Sequence, residues 1–426
     1  MPLSTFGRKV FGDEKADKIY AYLKFFRAKF NNLKSLHYSE IIDKESIKVF
    51  EIPKHHVFFG YYDIQQLNLK EDKMLVHVVP KRSTIDRNKK EAEIGYFNVK
   101  SGEYFALTNT RTWCWQQGAR LRWHPINDNY ILFNDMFDFK YITIIWDVVN
   151  NCYIGQIDTA LYDIDRQFSY GLSLNFSRLQ RLRPGYGYDL LPDVTIIDHA
   201  PENDGVFLVD LQKNESRLII KLRDLALDVD KSMEHQHYIN HLSFAPDGNN
   251  FIFFHVWRIR GTKKWATRLY VAETLEANLK LLESNDVVSH YAWKNNEELL
   301  VTCLTKNKEQ YYAEYNIISG RKRIVNQKIL SKDGHPSFTP NSSVFISDTY
   351  PQKNEKQVLF VHNIIENRNY AIVELFSDPR YYGERRCDLH PRISSSGRFI
   401  TIDSTFQDGL RKTVLVETDK IKYLWC

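Results

Sequence analysis

Cysteine is scarce: five residues in 426, at positions 114, 152, 303, 387 and 426, with no CxxC pair among them. An odd, scattered set argues against a disulfide framework and fits a reducing compartment. No apolar run reaches the length of a membrane span, and the first stretch, MPLSTFGRKVFGDEKADKIYAYLKFF, has no uninterrupted apolar core of the kind a secretory leader needs. The expectation is a soluble protein in the cytoplasm. Local catalytic phrases are missing as well: there is no GxSxG elbow, no P-loop, no GxGxxG after a strand and no HExxH. Any catalysis has to be assembled from residues far apart in the chain.

Net charge is almost absent from the body of the protein. Residues 1–36 hold eight Lys or Arg against three Asp or Glu, which accounts for the whole net charge of +5. A neutral body lacks the clustered cations that phosphate backbones require, so no nucleic-acid partner is expected. Within this basic segment Ile19, Tyr20, Leu23, Phe26, Phe30 and Leu33 follow the spacing of an amphipathic helix. Residues 1–45 are therefore expected to form a basic helical extension. It either docks on the main domain or contacts a protein partner or an anionic membrane surface.

Aromatic residues, by contrast, are plentiful at 14 %, with 25 Tyr and 26 Phe, and apolar residues reach 43 %. From about residue 46 helical periodicity gives way to short alternating runs of Val, Ile, Phe and Tyr separated by Asp, Asn, Gly and Ser, the pattern of strands and tight turns. One phrase recurs. HLSFAPDGNNFIFF (241–254) returns as HPSFTPNSSVFISD (335–348) and HPRISSSGRFITID (390–403), and more loosely as RLRWHPINDNYILFND, YAWKNNEELLVTCL and YYDIQQLNLKEDKMLVHV. The turns fall near positions 72, 128, 247, 296, 341 and 396, about 50 apart except for one double interval, which demands a degenerate unit around LLPDVTIIDHA. A second phrase, typified by IGYFNVKSGE, VFLVDLQKNE and TVLVETDK, occurs seven times and reads as a third strand. Seven such units predict an all-β fold, a seven-bladed β-propeller over residues 46–426, with SIKVFEIP (46–53) completing the last blade.

In a propeller the first strand of every blade lines the central channel, so the segments leading into those strands converge on one mouth. These are HHVFFGYYD, CWQQG, RLRPGYGYD, EHQHYINH, SHY, GHP and CDLHP, and they hold most of the histidines. His241, His335, Cys387 and His390 together make three imidazoles and a thiolate, a donor set suited to tetrahedral zinc stapling the channel, with His290, His235 and His237 as substitutes. Hydrogen-bonded structural histidines are the plainer reading. A second group comprises His55, His56 and His77, with Tyr61, Tyr62, Gln116 and Gln117 as candidate substrate contacts beside His237. Arg181, Arg183, Tyr186 and Tyr188 complete it on the glycine-rich RPGYGY turn. Tyr and His can exchange protons with a substrate, and Arg can neutralise a carboxylate.

At HHVFFGYYD, WQQGARLRW, RLRPGYGY, GHPSFTPNSSVFISDTYP and RCDLHPRISSSGRFITIDS the chain resembles the β-propeller polysaccharide lyases, the ulvan lyase type and more distantly the oligogalacturonide lyases, over about residues 50–418. The resemblance implies β-elimination at a uronic acid: neutralising the C6 carboxylate, removing the C5 proton and protonating the departing O4. It implies Arg181 or Arg183 for the carboxylate, His77 or His56 for neutralisation or proton removal, and Tyr188 or Tyr186 as acid or base. A Tyr acting as base needs a nearby cation, because a free phenol ionises near pH 10. The ulvan type also implies a structural zinc, in keeping with the three-His, one-Cys set. The oligogalacturonide type implies a catalytic manganese held by several His and a Gln, and no such local cluster stands in the last blades. The expected partner is an acidic polysaccharide or oligosaccharide. A propeller that binds such a glycan or a protein without catalysis is the rival reading, and fold alone does not choose between them.

Overall fold

Short runs of β-branched and aromatic residues, each closed by an Asp, Asn or Gly turn, pair with their sequence neighbours into seven antiparallel sheets in the computed structural model. It describes residues 13–30, 37–39, 42–81, 91–262, 264–352 and 354–421. Six sheets are blades of four strands and the sixth blade carries a fifth at its edge, and the seven make a seven-bladed β-propeller. All seven predicted third strands lie third in their blades, from Ala92–Asn98 in the first to Lys412–Glu417 in the seventh.

The ring is closed by both ends of the chain. Blade seven takes Arg392–Ile393, Phe399–Ser404 and Lys412–Glu417 from the C-terminal part and Ile47–Phe50 from the N-terminal part. Register runs from Ile47 opposite Val416 to Phe50 opposite Thr413. The Val57 N–H then donates to the Arg411 carbonyl at 2.9 Å, sewing blade one to blade seven. Phe50 is buried among Val57, Met74, Phe97 and Leu415, so the closing strand also plugs the seam between the two blades.

Blade three departs from the expected layout. Its first two strands are Asp163–Ile164 and Tyr170–Ser173, and the third begins only at Gly205. The intervening stretch holds a helix, Phe176–Leu182, and a long excursion. VTIIDH, β-branched like a strand over its first four residues, lies in turns with Ile196 and Ile197 exposed. The buried Arg178 guanidinium explains this, because it donates to the carbonyls of Thr195, Asp198 and His199 and satisfies backbone that would otherwise need a neighbouring strand. RLRPGYGYD is accordingly not a lead-in to a first strand. It belongs to the link between the second and third strands of blade three, which emerges at the same mouth as the lead-in segments.

The N-terminal helix spans Asp13–Phe30. Its buried side chains include Ala21 and Phe25, whereas Ile19, Tyr20, Leu23 and Phe26 of the predicted stripe point to solvent. Leu33 and the side chain of Phe30 lie outside the described residues. Downstream, His37–Tyr38 adds a fifth strand to the edge of blade six, and Ile42 bridges to Ile421.

Phe50→Ala is expected to lower stability by about 3–4 kcal/mol in denaturant unfolding, the cost of an emptied aromatic site. Val49→Ala, on the more exposed side of the same strand, should cost no more than about 0.5 kcal/mol. Equal losses would mean that the closing strand does not carry the seam.

Candidate functional site

His335 and His390 stand just ahead of the innermost strands of blades six and seven, whereas His241 and His290 lie within those of blades four and five, and irregular backbone aims histidines into the channel. His241 has φ 54° and His390 φ 46°, in the left-handed region that non-glycine residues seldom occupy. The register of blade four slips between Asn240 and Ser243, and that of blade five between Val288 and Tyr291, so His241 and His290 each sit in a bulge that turns the side chain inward.

Four imidazoles gather there around two phenols. The His335 ring lies 4.5 Å from that of His390 and 4.1 Å from that of His290. Tyr61 sits in the middle, its ring 4.8 Å from His390, 5.4 Å from His241 and 6.2 Å from His335. Tyr62 packs 5.2 Å from His335, and its hydroxyl accepts the Tyr291 N–H. All six side chains are buried.

Three of the rings are held from behind. His335 Nδ1 donates to the Asp348 carboxylate at 2.8 Å, His390 Nδ1 to the Gly60 carbonyl at 2.7 Å, and His290 Nδ1 to Asp333 at 3.0 Å. Asp348 also accepts the backbone N–H of His335 at 2.8 Å and of His390 at 3.2 Å, tying blade six to blade seven. Gly60 is required where it stands: its φ is 131°, and a Cβ there would meet the Gln117 carbonyl carbon at 2.9 Å. A carbonyl can only accept, so the His390 proton resides on Nδ1 and its Nε2 carries a lone pair. That Nε2, the Nε2 of His335, the Nδ1 of His241 and the Tyr61 hydroxyl are buried without a hydrogen-bond partner. Orphaned polar atoms of this kind cost free energy unless a ligand engages them.

His335, Asp388 and His390 bring one donor atom each to within 4.8 Å of one another. With Nδ1 fixed by Asp348 and Gly60, the two imidazoles have the outer support typical of metal ligands. The residues present therefore fit a divalent cation. Cys387 is not part of this group. In CDLHP the chain alternates, so Cys387 and Leu389 turn into the core while Asp388 and His390 turn into the channel. Burial pushes the Cys387 thiol up to about 12, so it stands protonated in the core. Asp388 receives two hydrogen bonds of 2.7 Å from Arg386; burial pushes its carboxyl up, yet that guanidinium holds it well below the usual carboxylate range.

Burial sets the other protonation states. It pushes His241 and His390 well below the ordinary imidazole value and raises the Tyr61 phenol well above its own. It also presses His335 down, but Asp348, Asp388 and Asp333 outweigh it and leave that imidazole raised. At neutral pH the cluster thus sets the neutral imidazoles of His241 and His390 and the protonated Tyr61 phenol beside His335, the one imidazole of the three whose proton affinity is raised.

The RPGYGY turn reaches this cluster with half of its predicted residues. Tyr186 lies 6.1 Å from Tyr61 and 6.4 Å from His241, and the Arg183 guanidinium lies over both Tyr186 and Trp265 at about 5 Å. A small cavity bordered by Arg183, Tyr186, Trp265, His241 and His290 opens beside the rings. Arg181 instead pairs with Asp193 at 2.8 Å, and Tyr188 stacks on Phe176 with its hydroxyl taking a hydrogen bond from Asn134. His56 accepts the Arg411 N–H and packs on Trp115, while His77 accepts the Ala119 N–H and stacks on Phe58. Neither makes a ring contact with the central imidazoles among the described residues. Gln116 holds the Arg386 carbonyl at 2.7 Å and Gln117 the Tyr162 hydroxyl at 2.8 Å, both as structural ties. His237 bonds to His255 at 2.9 Å, away from the cluster; His235 accepts the Arg260 N–H and His55 bonds to the Pro53 carbonyl.

Sequence reasoning overlooked Asp333, Asp348, Asp388, Tyr350 and Arg386. Tyr350 packs 5.6 Å from His335 under the Arg386 guanidinium, closing the rim on the side of blade six. Asp388 was within reach, standing beside His390 in the same phrase. Asp348 meets His335 only because a hairpin folds residues 335 and 348 together.

No protein-family model and no curated protein matches the chain. Solved structures do. An oligogalacturonate lyase in complex with manganese superposes with a TM-score of 0.62 at 12 % identity, covering 90 % of this chain and 96 % of that one. An oligogalacturonate lyase from Vibrio parahaemolyticus gives 0.62 at 11 % identity, covering 90 % and 97 %. The tricorn protease gives 0.52 at 10 % identity, with 88 % of this chain on 35 % of that one. At such identities the likeness is one of fold, a propeller shared by lyases and by proteins that are not lyases.

Buried neutral histidines make a pH test. Burial lowers the His77 imidazole from 6.5 to about 4. Between those values the unfolded chain binds a proton that the folded protein refuses, so stability falls as pH drops through this window, by roughly 3 kcal/mol for a shift of this size. Unfolding of His77→Gln followed against pH should lose about one proton of slope between pH 4 and 6.5. An unchanged slope would mean that His77 titrates normally in the fold.

Proposed function

We propose that the protein is a polysaccharide lyase-like enzyme acting by β-elimination on a uronic-acid-containing glycan. The observation that carries this reading is the convergence of four unpartnered buried polar atoms, on Tyr61, His241, His335 and His390, beside a cavity that Arg183 borders. Elimination next to a uronate needs its carboxylate charge offset, a base for the C5 proton and an acid for the departing O4. Arg183 supplies a fixed cation at the mouth. His241, kept neutral by burial, can accept a proton on its free Nδ1. Tyr61, kept protonated by burial, can donate one through its free hydroxyl. Tyr186 and Trp265 offer flat faces for a sugar ring.

His335, His390 and Asp388 would hold a divalent cation, whose chemistry when bound is to offset negative charge on a carboxylate. Two imidazoles and a carboxylate suit manganese or a zinc bound without sulfur; the manganese in the oligogalacturonate lyase neighbour supports that choice.

The purified protein, incubated with a panel of uronic-acid oligosaccharides, should produce the ultraviolet absorbance of an unsaturated uronate. Tyr61→Phe and His241→Gln should each lower the rate by about 100-fold or more with the fold intact. Asp348→Asn should weaken metal binding by about 10–100-fold, because it loosens both ligands at once. A flat trace over the whole panel, together with saturable binding of an acidic glycan, would favour the non-catalytic propeller.

A further inference from the structure

The N-terminal helix has two unlike faces. Toward the propeller, Ala21 and Phe25 are buried, the Arg380 guanidinium lies 3.9 Å from the centre of the Phe25 ring, and Lys24 pairs with Glu355 at 2.8 Å. These contacts seat the helix on blade six. Away from the propeller Ile19, Tyr22, Leu23 and Phe26, spaced i, i+3, i+4, i+7, form one continuous apolar stripe. They are 46, 45, 55 and 52 % exposed, and Tyr20 beside them is 47 % exposed. Lys15, Lys18 and Arg27 are exposed around this stripe.

Scattered exposed apolar residues need no explanation, but an ordered stripe of them on a helix whose other face is already docked marks a contact surface. The occupant follows from charge. The basic excess of the whole protein is confined to the first 36 residues. A second copy would set this cationic segment against another of the same sign. Leu, Ile and Phe flanked by Tyr, Lys and Arg form the composition of a helix that lies in a membrane interface, with rings at headgroup depth and ammonium and guanidinium groups among anionic lipid heads. Among the described residues no helix is long and apolar enough to cross a membrane, so the contact is peripheral.

We propose that this face of the helix docks the protein on an anionic lipid surface. The placement has a consequence for the channel. Glu355 and Arg380, which anchor the helix, belong to the same two loops as Tyr350 and as Arg386 with Asp388, so the helix lies along the rim of the histidine-bearing mouth. Docking therefore holds that mouth beside the lipid surface, where a membrane-associated acidic glycan would meet it. The lipid contact itself stands independently of catalysis.

Flotation of the full chain with vesicles tests this. The protein should float with vesicles of equimolar phosphatidylcholine and phosphatidylglycerol, stay behind with phosphatidylcholine alone, and be released by salt. The double variant Leu23→Asp with Phe26→Asp should lower the floating fraction roughly tenfold with an unchanged thermal unfolding curve, since both side chains face solvent. Lys15→Glu with Lys18→Glu should release at lower salt. Failure of the full chain to float, or flotation indifferent to both variants, overturns the proposal. So does a dimer in sedimentation that the Leu23→Asp, Phe26→Asp variant dissolves, because the stripe would then cover a second copy.

Discussion

The carboxylate of Asp348 is the constraint on which the channel depends. It accepts the backbone N–H of His335, the ring Nδ1 of the same residue and the backbone N–H of His390. One side chain on the second strand of blade six therefore fixes two lead-in segments from adjacent blades. With Nδ1 committed, each imidazole can offer only Nε2 to the channel, and a carbonyl does for His390 what the carboxylate does for His335. Ring closure serves the same end, because Gly60, whose carbonyl holds His390, comes from the first blade and has to arrive beside the seventh.

Burial then gives these groups their chemistry. A phenol and imidazoles in water would titrate near their ordinary values; burial keeps Tyr61, His241 and His390 neutral across the physiological range, while the carboxylates around His335 raise that imidazole instead. The cost is a set of polar atoms without partners in a place where hydrogen bonds are worth most. A fold tolerates that where the atoms have a ligand to meet. Left-handed backbone at His241 and His390 adds a conformational cost in the same place. Both costs fall at one mouth of the ring, which is also where the N-terminal helix is anchored.

Much of the propeller was legible because it is written in local chemistry. Tight turns need Asp, Asn and Gly at set positions, and third strands need a short apolar run before a turn, so both recur visibly. The closing strand was legible for the same reason. Blade three was misplaced because VTIIDH is β-branched like a strand, and only the distant Arg178 reveals how its backbone is satisfied. The channel position of His241, His335 and His390 followed from their repeat position. The candidate donor set did not: softness of the donor favoured Cys387, but alternation of an extended segment turned that thiol into the core and put Asp388 beside His335 and His390. Arg181 and Tyr188 share a short turn with Arg183 and Tyr186, and sequence alone gives no reason why the second and third of the four face the site while the outer two hold the excursion together. On the helix, periodicity picked out Ile19, Leu23 and Phe26 of the exposed stripe but not what they face, which depends on where Glu355 and Arg380 stand.

X-ray absorption spectroscopy of the metal retained by the purified protein tests the central claim most directly. The account predicts a first shell of nitrogen and oxygen only, at about 2.0–2.2 Å, with the scattering pattern of two imidazoles. A sulfur neighbour at about 2.3 Å, or a protein that retains no divalent cation and takes none up, would contradict it.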